Sequence, residues 1–181
     1  KVLDEENNQI YLSNGGEEPE PEIETLTADF YSGSEAQKES KTIDVSETGG
    51  VVTTLKLKEM PGWNPLGWSR NAGGYDGEIG EEENVTLTEN TSFYGIYQKD
   101  ITLSYDLNGG DSPAPEAETN PCYANVHQDI TYKTPEFSIA KAPARGGYLF
   151  HGWNTQADGN GASYQAGARH VFDCDTVLYA I

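Results

Sequence analysis

The sequence predicts a turn-rich β protein that is built from two related repeats in tandem. Its composition favours sheets, because 11 Tyr and 3 Trp stand against a single Met, and aromatic side chains suit half-buried sheet faces. The 20 Gly and 9 Pro are typical of frequent turns. Apolar residues also alternate with a period of two in several short segments, and the second half of the chain repeats the pattern of the first.

The individual strands follow from this alternation. Residues 26–30 place their apolar side chains on one face of an extended chain, and residues 103–107 repeat the pattern. Further strands of the first repeat are predicted at 51–57, 63–68, 85–87 and 93–97. No segment has the period of a long amphipathic helix, and only short helical turns are predicted, at 57–60 and 139–142, each ending at a proline.

The repeat is clearest around a Gly-Trp pair. Residues 62–69 read Gly-Trp-Asn-Pro-Leu-Gly-Trp-Ser and residues 147–154 read Gly-Tyr-Leu-Phe-His-Gly-Trp-Asn, an offset of 85 residues. The first strands, 26–30 and 103–107, correspond at an offset of 77. The second repeat therefore has a net eight extra residues, which we place in a surface loop at about 113–133.

Three segments are expected along the chain. Residues 1–23 are acidic and contain Glu-Glu-Pro-Glu-Pro-Glu, a composition that favours an extended linker, with 9–12 as a candidate edge strand. Repeat one is expected at 24–98 and repeat two at 99–181. Because the chain starts at Lys1 and ends inside a strand-like run, we expect a monomeric piece of a longer multi-domain protein.

The charge excludes several classes of partner. Thirty acidic residues against 11 basic ones give a formal charge of −19, which disfavours nucleic acid and anionic membranes. No run approaches the ~18 apolar residues of a membrane span, so direct membrane insertion is not expected. Neither Cys122 nor Cys174 lies in a CxxC pair, so zinc is not indicated. A disulfide between them and two free thiols both remain open.

No catalytic, cofactor-binding or metal-binding residues are predicted. His127, His151 and His170 are scattered without a nucleophile at a recognised spacing. Residues 158–161 resemble the start of a calcium loop, but the acidic residue that should close it is absent. Residues 81–83 are three consecutive acids, which would point to alternate sides of a strand. We therefore expect a protein that is not an enzyme.

The aromatic residues divide into a predicted core set and a predicted contact set. Trp68 and Trp153 occupy equivalent positions in two diverged repeats, which favours shared architecture over a shared sugar ligand. The predicted structural core residues are Trp68, Trp153, Phe150, Tyr94 and Tyr179. The candidate ligand contacts are Trp63, its counterpart Tyr148, and Tyr123 in the long loop.

Repeat two resembles the Listeria–Bacteroides repeat, also called the internalin B-repeat. It carries that family's Tyr-x-x-Asn-Gly-Gly turn at 105–110, its Gly-Tyr-x-Phe-x-Gly-Trp strand at 147–153, its Asp-Gly-x-Gly-x-x-Tyr loop at 158–164 and its Leu-Tyr-Ala strand at 178–180. Repeat one resembles a divergent copy, which lacks both glycine turns and has Pro65 in place of the Phe.

The resemblance implies a fold and a role. The implied fold is a β-rich α+β one, with two small β-grasp-like (ubiquitin-like) repeats. The implied location is extracellular, on the cell surface or cell wall of a bacterium, without catalysis. The implied role is that of a stalk, spacer or adhesion module; the alternative is direct recognition of a host protein or glycan by an exposed aromatic patch or by the 113–133 loop.

Overall fold

The computed structural model describes residues 2–3, 9–10 and 24–181. This part of the chain is all β, with fifteen strands and no helix. The strands of its first half are β1 (Val2–Leu3), β2 (Gln9–Ile10), β3 (Thr25–Ser32), β4 (Gln37–Asp44), β5 (Gly50–Thr53), β6 (Asn64–Ser69) and β7 (Asn84–Leu87). The central strand is β8 (Thr91–Asp106), followed by β9 (Glu118–Val126), β10 (Ile130–Lys133), β11 (Glu136–Ser138), β12 (Trp153–Asn154), β13 (Ser163–Tyr164), β14 (Arg169–Val171) and β15 (Thr176–Ala180).

The two N-terminal strands form a sheet of their own, in which β1 and β2 are antiparallel. The candidate edge strand at 9–12 overlaps β2 at residues 9 and 10. Its other residues, like most of the predicted linker at 1–23, lie outside the described residues.

The predicted α+β, β-grasp-like fold is wrong, because residues 24–181 contain no helix, although the β-rich part of the prediction is confirmed. The segment from 54 to 60, which was predicted to contain a helical turn, is irregular. Its carbonyls bond to side chains from the sheet: Trp68 Nε1 donates to the Leu55 carbonyl at 2.8 Å, and the Tyr97 hydroxyl donates to the Lys58 carbonyl at 2.7 Å. A helix would instead direct these carbonyls to the amides four residues later.

A nine-stranded mixed sheet connects the two repeats through β8. Its main path is β10-β9-β8-β15-β12-β13, and β3, β4 and β6 join it from the first repeat. The first part of β8 pairs in parallel with β3 and antiparallel with β6, while its last part pairs in parallel with β15. Strand β8 has 16 residues, which corresponds to roughly 50 Å at the usual rise per residue. The boundary expected between residues 98 and 99 therefore falls inside one strand.

The small outer sheets have the same register in both repeats. Val52 pairs with Val85 in the β5–β7 sheet, and Phe137 pairs with His170 in the β11–β14 sheet. Both partners are displaced by 85 residues, which is the offset of the Gly-Trp motif.

The first strands correspond at an offset that differs from the predicted one. Ala28 pairs with Thr91 and Leu103 pairs with Thr176, so Ala28 and Leu103 are equivalent and the offset is 75 rather than 77. A shift of two residues leaves the same side chains on the same face, so alternation alone does not distinguish the two alignments.

The segment 113–133, which was expected to be a loop, holds strands β9 and β10. They form the β9–β10 hairpin, in which β9 pairs antiparallel with residues 95–103 of β8. The first residues of β9 correspond to β4, since Glu118 pairs with Leu103 as Lys41 pairs with Ala28. The extra residues of repeat two lengthen β9 beyond this part and form β10.

No helix of the described residues is long and apolar enough to cross a membrane.

Buried side chains form three clusters. The repeat-one core lies between β3, β5, β6, β7 and β8, and the repeat-two core lies between β8, β9, β11, β12 and β15. A third cluster lies at the junction and combines residues of both repeats. We call it the seam cluster; its members are Met60, Tyr97, Ala124 and Val126.

Candidate functional site

The two Gly-Trp tryptophans are enclosed. Trp68 and Trp153 are both fully buried, and the Trp153 indole donates to the Ala140 carbonyl at 2.9 Å, as the Trp68 indole does to the carbonyl of Leu55. Each ring also packs against an aromatic residue of the first strand, Phe30 at 5.2 Å or Tyr105 at 4.7 Å between centroids. Neither ring is available to stack on a sugar.

The glycine before Trp68 is required by its close neighbours. Gly67 has a φ of +139°, and a Cβ built on it would lie 2.6 Å from the Ile79 carbonyl oxygen. A side chain there would separate β6 from the segment that bonds to Trp68. This accounts for the Gly-Trp spacing on which the sequence alignment depends.

A reverse turn leads into this motif in both repeats. In repeat one, the Trp63 amide donates to the Met60 carbonyl at 3.0 Å; in repeat two, the Tyr148 amide donates to the Arg145 carbonyl at 3.2 Å. The third residue of each turn is a glycine with a φ near +80°, as a type II turn requires. The two turns thus present equivalent surfaces, with different side chains.

The first residue of the repeat-one turn is covered by the β9–β10 hairpin, whereas Pro61 and Gly62 are exposed. Met60 is 4% exposed, and Tyr97, Ala124 and Val126 of the same seam cluster are 0% exposed. The Tyr97 hydroxyl accepts a hydrogen bond from the Gly33 amide at 3.0 Å and donates one to the Lys58 carbonyl. Burial raises the pKa of Tyr97, and the hydrogen bond from Gly33 opposes this shift only in part.

The first candidate contact residue, Trp63, lies at the edge of the seam. It is half-buried, with the Tyr132 ring 5.6 Å away and the Lys99 Nζ 4.9 Å from its centroid. The Lys99 amine also donates to the Asp173 carbonyl at 3.0 Å. Trp63 therefore has partners from the second repeat on its ring.

Tyr123 and Tyr148 have different surroundings. Tyr123 on β9 is half-buried, with the Lys133 amine 5.7 Å from its ring centroid. Tyr148 is 65% exposed and the Arg145 guanidinium lies 4.0 Å from its ring centroid. Trp63 and Tyr148 lie in equivalent turns of different repeats, one beside the seam and the other on an open face.

Tyr148 and its neighbour have the highest fractional exposure among the large apolar side chains of repeat two. Leu149 beside it is 96% exposed. A small cleft of about 70 Å³ opens next to them, lined among others by Leu107, Phe150 and Ile181. We call this surface, from Leu107 through the 145–150 turn to Ile181, the open face.

The other predicted core residues are half-buried. Phe150 packs against Trp153 at 5.4 Å between centroids, and Tyr94 stacks on Tyr31 at 5.8 Å. Tyr179 is half-buried on β15, where it pairs with Asn154.

The two cysteines are free thiols in different environments. Cys122 is buried on β9, opposite Lys99 of β8, whereas Cys174 is exposed before β15. Burial raises the pKa of Cys122, which makes its reactive thiolate scarcer at neutral pH.

The polar segments considered as metal sites are organised as turns. In the 158–161 loop, Asp158 accepts hydrogen bonds from the amide and the side chain of Asn160, which lower its pKa. In the acidic run, Glu83 accepts a hydrogen bond from the Gly80 amide at 2.7 Å. No group of three or more His, Cys, Asp or Glu side chains in the described residues is placed to hold a metal ion.

His127, His151 and His170 are apart in the structure as in the sequence. The His127 ring lies 6.2 Å from that of Tyr94, and the His170 ring lies 4.8 Å from that of Phe172. His151 is exposed in the irregular segment that precedes β12, where its amide donates to the Ile181 carbonyl.

The sequence comparison between the repeats missed the seam cluster. Its hairpin members, Ala124 and Val126, have no counterpart in repeat one, so the alignment gives no signal for them. Asn125 between them is fully buried, and its Nδ2 donates to the Asn71 and Gly74 carbonyls at 3.0 and 2.6 Å. The alternation of apolar and polar residues in 124–126 is the sequence signal that could have indicated a strand here.

Comparison with known proteins identifies the second half of the chain. The model of the Listeria-Bacteroides repeat domain matches residues 102–181. No curated protein and no solved structure matches the chain. Repeats of this family occur in surface or extracellular proteins of bacteria and are generally non-catalytic. The predicted family is confirmed for the second repeat, because residues 102–181 match the Listeria-Bacteroides repeat domain.

Proposed function

We propose that the chain is a non-catalytic spacer on the outside of a bacterial cell, which holds the domains on either side of it at a fixed separation. The observation that carries this proposal is strand β8. It is the last strand of the repeat-one core and the first strand of the repeat-two core.

A shared strand leaves no flexible linker between the repeats. Strand β9 pairs with nine consecutive residues of β8, from Gly95 to Leu103, across the expected boundary. Bending the chain there requires the loss of several of these backbone hydrogen bonds. A glycine-rich linker of similar length would behave as a random coil instead.

The seam cluster supports the same conclusion through side chains. Tyr97 links the backbone of repeat one at Gly33 and Lys58 to the strand that leads into repeat two. Ala124 and Val126 pack on the same cluster from the hairpin of repeat two. Relative motion of the repeats would expose these fully buried residues to water.

Charge is consistent with a spacer. A net charge of −19 keeps an exposed chain soluble and discourages nonspecific aggregation. Stiff repeats that each bury a small core are a general route to an extended rod.

Rigidity is tested by distance measurements between spin labels, one on the exposed Cys174 and one on a Glu47→Cys variant. A narrow distribution is expected for the native chain. Insertion of Gly-Ser-Gly-Ser between Gln98 and Lys99 should broaden it several-fold, because the insertion interrupts β8. The matched control is the same insertion between Glu116 and Ala117, in the irregular segment before β9. If the native distribution is as broad as that of the β8 insertion, the spacer proposal fails.

A second candidate function is recognition of a host protein or glycan at the open face. The exposure of Tyr148 and Leu149 favours it, because exposed apolar patches are typical of interaction sites. A glycan array and a pull-down with host proteins would test it. Saturable binding that is lost in Tyr148→Ala and retained in Tyr132→Ala would establish the binder.

A further inference from the structure

We infer that the open face is a docking site for another repeat of this kind. The docked repeat covers it with a segment like residues 97–133 of this chain, which starts with a tyrosine and continues into a β-hairpin. This inference rests on the proposed spacer function and names the partner of one of its ends. Three observations carry it: the equivalence of two faces, the cover on one of them, and the shape of the other.

The faces of the two repeats are built in the same way. The turns at 60–63 and 145–148 have the same backbone hydrogen bond and the same left-handed glycine. The strands beside them also correspond, since Trp68 pairs with Gly95 and Trp153 pairs with Ala180. The open face of repeat two is therefore the counterpart of the seam face of repeat one.

The seam face shows what covers such a surface. Tyr97, one residue after Ile96, fills the space between the turn and the first strand, and its hydroxyl bonds to the Gly33 amide and the Lys58 carbonyl. The β9–β10 hairpin then closes over it with Ala124 and Val126.

The cleft on the open face corresponds to the position of Tyr97. It is lined by Pro143, the counterpart of Lys58, and by Ile181, the counterpart of Ile96. Its volume of about 70 Å³ is well below the 300–1,000 Å³ of typical small-molecule pockets, so it suits a single side chain. Tyr148 at its rim is 65% exposed, whereas its counterpart Trp63 is half-buried beside the hairpin.

One difference between the faces suits an acidic partner. Arg145 replaces Met60, so the open face carries one of the 11 basic residues of a chain with 30 acidic ones. Its guanidinium already lies against the Tyr148 ring, and it can stack on a second aromatic ring or donate hydrogen bonds to a carboxylate.

The test extends the full chain after Ile181 with a copy of its own segment 97–133. Hydrogen exchange of the 145–150 turn is measured by mass spectrometry. We expect about tenfold slower exchange in the extended chain than in the native one, because docking covers Arg145 and Tyr148 as the hairpin covers their counterparts Met60 and Trp63. The matched control is an extension in which the copies of Tyr97, Ala124 and Val126 are serine, and it should exchange at the native rate. Equal exchange with both extensions overturns the inference.

A second arm separates docking from general stabilisation. Tyr148→Ser combined with Leu149→Ser should leave the melting temperature of the native chain nearly unchanged, because both side chains are exposed there. In the extended chain, the same pair should restore fast exchange at 145–150. Persistent protection would show that the extension binds elsewhere, which also overturns the inference. If the 145–150 turn exchanges fast and the distance distribution between the spin labels is narrow, only this inference fails. If the distance distribution is broad, the spacer proposal fails as well.

Discussion

Removal of the Tyr97 hydroxyl should measure how much the seam contributes to stability. Tyr97→Phe keeps the buried ring but leaves the Gly33 amide and the Lys58 carbonyl without the partner that now lies 3.0 and 2.7 Å away. A buried backbone group that loses its partner costs about 1–3 kcal/mol, so we expect a loss of about 2 kcal/mol in the free energy of unfolding. For a chain of this size, this lowers the melting temperature by roughly 4–8 °C.

Urea unfolding followed by tryptophan fluorescence would measure this loss. The matched control is Tyr148→Phe, since Tyr148 is 65% exposed and its replacement should change stability by less than about 0.5 kcal/mol. A Tyr97→Phe variant as stable as the control would refute the argument that this hydroxyl fastens the seam.

The same variant should change how stability depends on alkaline pH. Because burial raises the pKa of Tyr97 in the folded chain, its stabilising effect is complete below the ordinary tyrosine value of about 10. The effect is lost as the pH rises through the higher folded pKa. Native protein should therefore lose stability above pH of about 10 more steeply than Tyr97→Phe, and equal slopes would contradict the assignment.

Three further changes test individual positions. Glu82→Gly should raise the free energy of unfolding by about 0.5 kcal/mol, because Glu82 has a φ of +55° where repeat two has Gly167. Thermal unfolding measures this change, and a lower melting temperature would contradict the idea that Glu82 is strained. Trp153→Phe should lower the free energy of unfolding by about 2–4 kcal/mol, because the ring is smaller and the indole hydrogen bond is lost. A loss under about 1 kcal/mol in urea unfolding would contradict the enclosure of this indole. Iodoacetamide should modify Cys174 well before Cys122 in the native chain, and mass spectrometry that finds equal rates would contradict the burial of Cys122.

The sequence comparison located the parts of the fold that both repeats share. The alignment of Gly67-Trp68 with Gly152-Trp153 identified equivalent positions because sterics leave little choice there: a Cβ on Gly67 has no room, and the indole needs a specific carbonyl. The offset of 85 then holds through the end of the chain. Such positions are visible in one sequence because the same constraint acts twice.

The parts that one repeat has alone were not visible in the same way. The β9–β10 hairpin looked like a loop because its buried residues, Ala124 and Val126, are small and lie beyond the part of β9 that corresponds to β4. The role of Tyr97 depends on carbonyls and amides of Gly33 and Lys58, which lie about 64 and 39 residues away and which no local pattern encodes. The helical turn before Pro61 was wrong for a related reason, since bonds from distant side chains organise that segment.

The shared strand also determines where such a protein can be cut and rejoined in evolution. A recombination event at the boundary of the sequence repeat, near residue 98, would divide β8 and separate its residues 95–98 from the part of β9 that pairs with them. Gains and losses of repeats in genes of this design should therefore have breakpoints in irregular segments, such as 107–117, rather than at the borders of the repeated sequence. The unit that is copied thus ends inside a strand that the two folded cores share.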